Sequence, residues 1–337
     1  PELRAALELS IENVRTVAQA QLGEDFTVTL SQGQQVDYRN PPVRRAAAYV
    51  PGGRGAYPST AVMCLTTARV AGVESICAVS PPRAHGQVDS VVAAVCALLG
   101  VEELYAIGGA QAIAALAYGT ETISPVDVVV GPGNAWVQEA KRQLVGRIGI
   151  DGVSGPSELV VVADADADVE AVTLDLLAQG EHGPDSLVVL ISPEPDLLDA
   201  VIERAREIPA EMAAVLAHDM ESAIDLADAV APEHMQIVAT DERARELAER
   251  VTRAGALFVG ANAATAFGDY VAGSNHVLPT GGAARYAGAL SVATFRRRMA
   301  RIFVPDEAVA PLARAGAAIA GAEGFPLHGR SMEVRQK

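Results

Sequence analysis

Residues 126–146 read VDVVVGPGNAWVQEAKRQLVG and combine a short apolar run, a Gly-Pro-Gly turn and a segment with helical spacing. Asn134 stands where a helix N-cap is expected, because its side chain can accept a hydrogen bond from the first turn. The stretch therefore predicts a strand, a tight turn and a helix in succession. Backbone N–H groups at such a helix start can bind a phosphate, and a turn with only a structural role is the alternative.

The same order of strand and helix recurs on both sides of this stretch. Before it, from about Ala46, apolar runs such as SICAVS (75–80) alternate with helical ones such as STAVMCLTTARVAG (59–72). After it, a second series extends from ELVVVAD (158–164) to ALFVG (256–260). Such alternation is typical of parallel sheets covered by helices, so we predict two α/β halves.

The two ends of the chain have different patterns. Residues 1–21 carry apolar positions at helical spacing, and the polar segment GEDFTVTLSQGQQVDYRNPP (23–42) is hairpin-like. After about Thr280 the pattern changes to helices, in LSVATFRRRMARIF (290–303) and DEAVAPLARAGAAIAGAEG (306–324). We expect this tail to be a separate docking element.

Charge and cysteine content limit the possible partners. The chain has 337 residues with 26 basic and 42 acidic side chains, a formal charge of −16 that opposes binding to nucleic acid or to anionic membranes. The 3 cysteines lie in apolar surroundings and their odd number argues against a disulfide framework, so we expect a reducing cytoplasm. Since no apolar run is as long as the ~20 residues of a membrane span, we expect no membrane association.

A group of nitrogen and oxygen ligands is present in DVEAVTLDLLAQGEHGP (168–184) and in two Gly-rich segments near the end. Gln179 and His182, three residues apart, should project from one face of a helix near its end. They could bind one metal ion, or they could simply form a polar helix terminus. Asp269 and His328 are further candidates. Such a set suits zinc, with manganese or cobalt as alternatives.

Glu233 and His234 lie in APEHM, between a predicted helix and a predicted strand. A carboxylate beside an imidazole at a strand entrance is suited to general acid–base chemistry. An exposed loop with incidental polarity explains this segment equally well.

Several segments, taken together and in this order, resemble the histidinol dehydrogenase family. They are YVPGG (49–53), GGAQAIAALAYGT (108–120), VGPGN (130–134), SGPSE (154–158), AQGEHGPDS (178–186), APEH (231–234) and GDYVAGSNHVLPT (268–280). The resemblance implies an α/β fold of two incomplete Rossmann-like domains with parallel sheets and a helical C-terminal tail. It also implies a metal and substrate domain (1–48 and 159–285), an NAD-binding domain (49–158) and a dimerisation tail (286–337).

The resemblance further implies the roles of individual residues. Glu233 and His234 match the catalytic acid–base pair. The matches to the zinc ligands are Gln179, His182, Asp269 and His328. The matches to substrate-binding residues are Ser157, His276 and Glu323, in addition to His234 and the four zinc ligands. The matches to NAD contacts are Tyr49, Gln111 and Asn134.

The activity implied is the oxidation of L-histidinol to L-histidine through L-histidinaldehyde, with two NAD and bound zinc, in a homodimer. The tail would cross to the partner, so that Glu323 and His328 complete the neighbouring site. Gly180 stands where the family usually has alanine. Two alternatives stay open: a zinc- and NAD-dependent paralogue that oxidises another small polar amino or sulfonated alcohol, which departures such as this one could mark, and a catalytically silent metal-binding or ligand-sensing protein.

Overall fold

The computed structural model of the protein describes residues 1–52 and 55–336. Gly53, at the end of the YVPGG motif, therefore lies outside the described residues. The chain divides into two compact units. The first is formed by Pro1–Gln21 and Val43–Phe295, and the second by Leu22–Pro42 together with the described residues from Arg296 onward.

Strands and helices alternate through most of the described residues. The elements up to the end of the first sheet are α1 (Glu2–Ala20), β1 (Phe26–Thr29), β2 (Gln35–Arg39), β3 (Arg45–Tyr49), α2 (Pro58–Val70), β4 (Ser75–Ser80), α3 (Ser90–Leu98), β5 (Glu103–Ala106), α4 (Gly109–Tyr118), β6 (Val128–Val130), α5 (Ala135–Leu144) and β7 (Gly149–Ile150). They are followed by β8 (Glu158–Ala163), α6 (Val169–Gly180), β9 (Leu187–Ser192), α7 (Pro195–Arg204), β10 (Glu211–Leu216), α8 (Met220–Val230), β11 (His234–Val238), α9 (Asp241–Ala248), β12 (Ala256–Val259), α10 (Thr265–Tyr270), β13 (Met299–Phe303), α11 (Asp306–Ala322) and α12 (Pro326–Glu333). Short 3-10 helices cover Ala84–Gly86, Ala283–Arg285 and Val292–Phe295. None of the helices in the described part of the chain combines the length and the apolar character needed to cross a membrane.

Two five-stranded sheets form the frame of the first unit. Their strand orders are β5-β4-β3-β6-β7 and β10-β9-β8-β11-β12. Every strand pair in both sheets is parallel. The predicted α/β fold with parallel sheets is therefore confirmed.

Each sheet is buried on both faces, because helices cover both. On β3, Ala46 and Ala48 pack into one apolar core, whereas Ala47 and Tyr49 pack into another on the opposite face. Successive side chains of a strand point to opposite faces, so a strand covered on both sides needs a continuous apolar run. The apolar runs that predicted the strands follow from this requirement.

Two segments lie elsewhere than the domain boundaries expected from the resemblance. β3 pairs with β4 and β6, so its residues before position 49 belong to the first sheet rather than to a domain with 159–285. Phe295 is fully buried in a core that also contains residues of α2, so the unit extends past the expected start of the tail at 286. Long-range pairing and burial set these limits, and neither is visible in a local pattern.

The second unit contains an antiparallel sheet of order β1-β2-β13 and the helices α11 and α12. The hairpin expected in 23–42 is confirmed, with Phe26 opposite Tyr38. The helix expected in 290–303 is wrong, because this segment contains a 3-10 helix and then β13, which pairs with β2. Hydrogen bonds to a strand about 260 residues earlier outweigh the helical spacing of its apolar residues.

A charged cluster joins β3 to β5 in the first sheet. Arg45 donates two hydrogen bonds to the carboxylate of Glu103, of 2.7 and 2.6 Å, and the hydroxyl of Tyr105 donates a third of 2.5 Å. These bonds, those from Arg45 first, lower the pKa of Glu103 from 4.5 to about 2. Its stabilising charge is therefore fully present above pH 4.5 and is lost as the pH falls towards 2.

We expect Glu103→Gln to lower the free energy of unfolding at pH 7 by about 1 kcal/mol, since the carboxylate is 41% exposed and solvent weakens the pair. The difference from the parent should shrink between pH 4.5 and 2. Urea unfolding at several pH values measures it, with the exposed neighbour Glu102→Gln as control. A difference that is constant over this range would contradict the role of the charge.

Candidate active site

A cleft of about 660 Å³ lies between the two sheets of the first unit. It faces the carboxyl ends of β3 and β6 in the first sheet and the amino ends of β8 and β11 in the second. The polar side chains that line it include Asn134, Ser157, His182, Glu233, His234 and Asp269. Segments far apart in the chain thus converge on one concave surface, which is the usual setting of a small-molecule site.

A hydrogen-bonded chain links Gln179 to Glu233 through Ser157. The amide of Gln179 donates to Ser157 Oγ (2.5 Å), and the Ser157 hydroxyl donates to Glu233 Oε2 (2.5 Å). The same carboxylate oxygen accepts the N–H of Glu158 at 2.9 Å. Gln179 and Glu233 are 2% and 8% exposed, so these bonds satisfy groups that water barely reaches. Ser157 therefore orients the carboxylate in this structure.

His234 starts β11 and is 3% exposed. Its Nδ1 lies 3.2 Å from the carbonyl oxygen of Glu158 and 3.5 Å from Glu233 Oε2, while its Nε2 lies 3.8 Å from Asp269 Oδ1. Burial alone would lower the pKa of His234, but the carboxylates of Asp269 and Glu233 outweigh it and raise the pKa to about 10. A cation bound at Asp269 would oppose this effect, since it offsets the negative charge.

Asp269 lies on α10 between two imidazoles. Burial alone would raise its pKa, but His234, then His276 and His182, lower it below its ordinary value. His276 Nδ1 lies 2.9 Å from the backbone oxygen of Asp269, and its Nε2 lies 3.3 Å from Thr60 Oγ1. Burial lowers the pKa of His276. The expected substrate residue His276 thus lines the same cleft as Glu233 and His234, the predicted acid–base pair.

The end of α6 differs slightly from the expected geometry. The helix ends at Gly180, so His182 follows it instead of lying on its last turn. His182 lines the cleft and is exposed, whereas Gln179 is buried. A Cβ on Gly180 would come within 2.7 Å of Ile208 Cγ1, so glycine at this position accompanies close packing against a neighbouring side chain. The departure at Gly180 has a structural cause outside the cleft.

The expected metal ligands are distributed over both units. Gln179, His182 and Asp269 belong to the first unit, while His328 lies in α12 of the second, stacked on Phe325 with ring centroids 5.1 Å apart. Glu323, the expected substrate residue, is the exposed C-cap of α11. In residues 1–52 and 55–336, no three His, Cys, Asp or Glu side chains form a group that could hold a metal ion.

The expected cofactor residues follow strands and turns of the first sheet. Asn134 caps α5 by accepting the N–H of Val137 at 3.1 Å, and it lines the cleft. Tyr49 ends β3, and its hydroxyl accepts the N–H of Gly109 at 3.0 Å. Gln111 is exposed in the first turn of α4, close enough to Gly109 that a Cβ there would lie 2.8 Å from its Oε1. Gly109 is therefore hydrogen-bonded to Tyr49 and lies close to the side chain of Gln111.

Glu158 is a site residue to which no role was assigned from sequence. Its carboxylate accepts the backbone N–H of Gly281 at 3.0 Å and that of Glu233 at 3.3 Å, and burial raises its pKa. These bonds hold the loop before β11 in place. The only signal in the sequence is an acidic residue at the start of an apolar strand.

Comparison with known proteins identifies the family. A family model described as histidinol dehydrogenase matches residues 1–336. The histidinol dehydrogenase of Parasynechococcus marenigrum is 43% identical over 347 residues, which cover 99% of this chain and 79% of that protein. The enzyme of the same name from Thermobifida fusca is 43% identical over 350 residues, covering 99% and 80%.

A solved structure agrees with this match. The crystal structure of histidinol dehydrogenase from Elizabethkingia anophelis has a TM-score of 0.94 and 29% sequence identity, and the match covers 99% of this chain and 80% of that one. Sequence and fold thus point in the same direction over nearly all residues. The chain belongs to the histidinol dehydrogenase family.

Proposed function

We propose that the protein oxidises L-histidinol to L-histidine through L-histidinaldehyde, with NAD as hydride acceptor and with bound zinc. The observation that carries the proposal is the arrangement of Glu233, His234 and Asp269 in one cleft, where the buried imidazole of His234 lies 3.5 Å from the carboxylate of Glu233 and 3.8 Å from that of Asp269. Family membership supports histidinol as the substrate, and a cleft of about 660 Å³ with several polar side chains in its wall has room for it.

The donor set supports zinc as the metal. His182 and Asp269 face the cleft, and the amide of Gln179 lies beneath it, bonded to Ser157. Nitrogen and oxygen donors of this kind suit zinc, and we propose that His328 of a second copy of the chain is the fourth. When bound, zinc supplies a cation that orients the imidazole and amine of the substrate.

The turn before α5 supports NAD as the hydride acceptor. Asn134 presents the start of α5 to the cleft, and Gly133 lies so close to Val137 that a Cβ would collide with it. A glycine in this turn allows close approach of a cofactor to the backbone, because it has no side chain. When bound, NAD supplies the hydride acceptor.

In the first oxidation, His234 accepts the proton of the substrate hydroxyl as the carbinol C–H bond breaks and its hydride leaves. The backbone oxygen of Glu158, 3.2 Å from Nδ1, orients the ring so that Nε2 is directed towards Asp269 and the cleft. The product of this step is the aldehyde. A positioned imidazole is the side chain most often used for such a transfer.

In the second oxidation, Glu233 takes a proton from water, whose oxygen adds to the aldehyde carbon. The hydrate anion that forms loses a second hydride to give the carboxylic acid, which releases its proton to become the carboxylate. Ser157 and the N–H of Glu158 both bond to Oε2 of Glu233, which holds the carboxylate in one orientation. Its other oxygen is then available to water. A thiol nucleophile is disfavoured, because Cys64, Cys77 and Cys96 are buried and burial raises the pKa of each.

We also propose a cytoplasmic homodimer in which the tail of each chain completes the site of the other. The free, buried thiols fit a reducing compartment. The second unit has many exposed large apolar side chains, which favour contact with another protein surface. They include Phe26, Val28, Ile302, Phe303, Phe325 and Leu327.

The experiment that tests the activity is NADH production from L-histidinol by the purified protein. We expect two NADH per histidinol, loss of turnover with a chelator, and recovery when zinc is added back. A yield of one NADH per histidinol would contradict the second oxidation. Turnover that resists complete metal removal, verified by elemental analysis, would contradict the role of zinc.

Co-expression of two inactive variants tests tail exchange. His234→Asn and His328→Asn should each be nearly inactive, but together should recover up to about a quarter of the parental rate, since half of randomly formed dimers are mixed and each has one intact site. The control pair is His234→Asn with Asp269→Asn, two substitutions in the same unit of the chain, which leaves no intact site in mixed dimers. If the first pair forms dimers but recovers no turnover, the proposed exchange of tails is wrong.

A further inference from the structure

A buried ion pair holds both backbone groups of Gly131, the first residue of the turn between β6 and α5. The ammonium of Lys141 donates to the carbonyl oxygen of Gly131 at 3.1 Å, and Asp151 Oδ2 accepts the N–H of Gly131 at 2.7 Å. Lys141 and Asp151 also bond directly to each other. Asp151 Oδ1 accepts the N–H of Gly152 at 3.0 Å. The pair thus holds the conformation of Gly131, because Lys141 binds its carbonyl group and Asp151 binds its N–H group.

This pair is unusually well shielded from water. The side chain of Lys141 is 0% exposed and that of Asp151 is 5% exposed, whereas Glu139 and Arg142 on the same helix form a pair that is 44% and 62% exposed. Removing two charges from water costs free energy that their attraction often fails to recover, so a buried pair is weak support for a purely stabilising role. Its better-attested use is to select one arrangement of the groups around it.

Gly131 has little freedom to move. Its φ is +111°, and a Cβ at this position would collide with the backbone oxygen of Tyr49. The three residues that follow, Pro132, Gly133 and Asn134, all line the cleft. The pair therefore lies directly behind the wall of the cleft that carries Asn134, one proposed cofactor contact. The residue that it holds, Gly131, packs against the backbone of Tyr49, another proposed contact.

We infer that Lys141 and Asp151 are positioning residues for the cofactor, which hold the turn 131–134 so that Asn134 and the neighbouring backbone meet NAD in a single geometry. This role rests on the proposed function, because it requires that NAD binds at this wall. Neither side chain contacts the cleft, so both act through Gly131. A turn that is already held in its bound conformation costs less free energy to order when the cofactor binds.

The test uses the double variant Lys141→Met/Asp151→Leu. It removes both charges and fills the space of the pair with apolar side chains. Replacing both partners avoids the uncompensated charge that a single substitution leaves buried. Arg142→Met is the matched control on the exposed face of α5. NADH binding is followed through quenching of Trp136, the 1 tryptophan of the chain, which is 74% exposed and two residues from Asn134.

We expect the double variant to bind NADH at least about 10-fold more weakly, since small displacements of a binding group have effects of this size or larger. Zinc affinity, measured by chelator competition, should stay at the parental value, and thermal unfolding should remain cooperative. The control should match the parent in all three measurements. A merely structural pair would change zinc and NADH binding together or neither.

An NADH affinity of the folded double variant within two-fold of the parent would overturn the inference. If this variant does not fold, Lys141→Met/Asp151→Asn, which also removes both charges and keeps the volume of Asp151, decides by the same selective loss of NADH affinity. If the parent itself binds zinc but not NADH, the proposed cofactor is wrong and the inference falls with it. That result is distinguishable, because it concerns the parent and not the variants.

Discussion

Replacing His234 with asparagine lowers kcat for NADH formation from L-histidinol by about 10²- to 10⁴-fold, the range typical for loss of a general acid–base group. Asparagine keeps a polar side chain of similar reach beside the carbonyl of Glu158, but it cannot accept and return a proton at neutral pH. Both oxidations should slow, because both need the same hydroxyl-bearing carbon to lose a hydride beside His234.

Steady-state NADH absorbance measures this effect, and thermal unfolding verifies that the variant is folded. His218→Asn is the control, since this imidazole is 92% exposed on the loop before α8 and should leave the rate unchanged. NADH affinity should also stay at the parental value. A folded His234→Asn variant that turns over at the parental rate would show that another group takes the proton.

Replacing Glu233 with glutamine should stop the reaction at the aldehyde. The amide keeps the size of the side chain and can still accept the hydrogen bonds of Ser157 and Glu158 through its oxygen, but it cannot take a proton from water. We expect oxidation of L-histidinaldehyde to slow by about 10²- to 10⁴-fold and the alcohol step to slow less. The yield then falls from two NADH per histidinol towards one.

Chromatography of the products with a carbonyl trap measures the released aldehyde, and Glu249→Gln, on the exposed end of α9, is the matched control. Two NADH per histidinol at the parental rate would contradict the assignment of water activation to Glu233. An equal loss in both steps would instead indicate that the carboxylate acts mainly by holding His234.

Local patterns predicted much of the frame. Apolar runs separated by helical segments indicated two parallel sheets, because a strand covered on both faces must be apolar throughout, and this was confirmed. The helix predicted for 290–303 was wrong. The apolar residues of this segment fit a helix as well as a strand, and only the pairing of β13 with β2 decides for the strand. A contact spanning the length of the chain leaves no trace in a window of a dozen residues.

The site divides in the same way. Glu233 and His234 are neighbours in sequence, so their proximity needed no fold, and the order of motifs around them indicated the family. Glu158 and Lys141 were not predicted as functional residues, because an acidic residue in a strand and a basic residue in a helix are ordinary features. Their importance depends on which backbone groups they meet.

By itself, the sequence determined the alternation of strands and helices, the family, and the identity of the side chains available for chemistry, since all three depend on residues close together or on their order. Tertiary structure alone decided that Ser157 connects Gln179 to Glu233, that Asp269 lies beside two imidazoles, and that a buried ion pair holds Gly131. Hydrogen bonds and ion pairs require atoms within about 3 to 4 Å, and only the packed chain brings such distant residues that close.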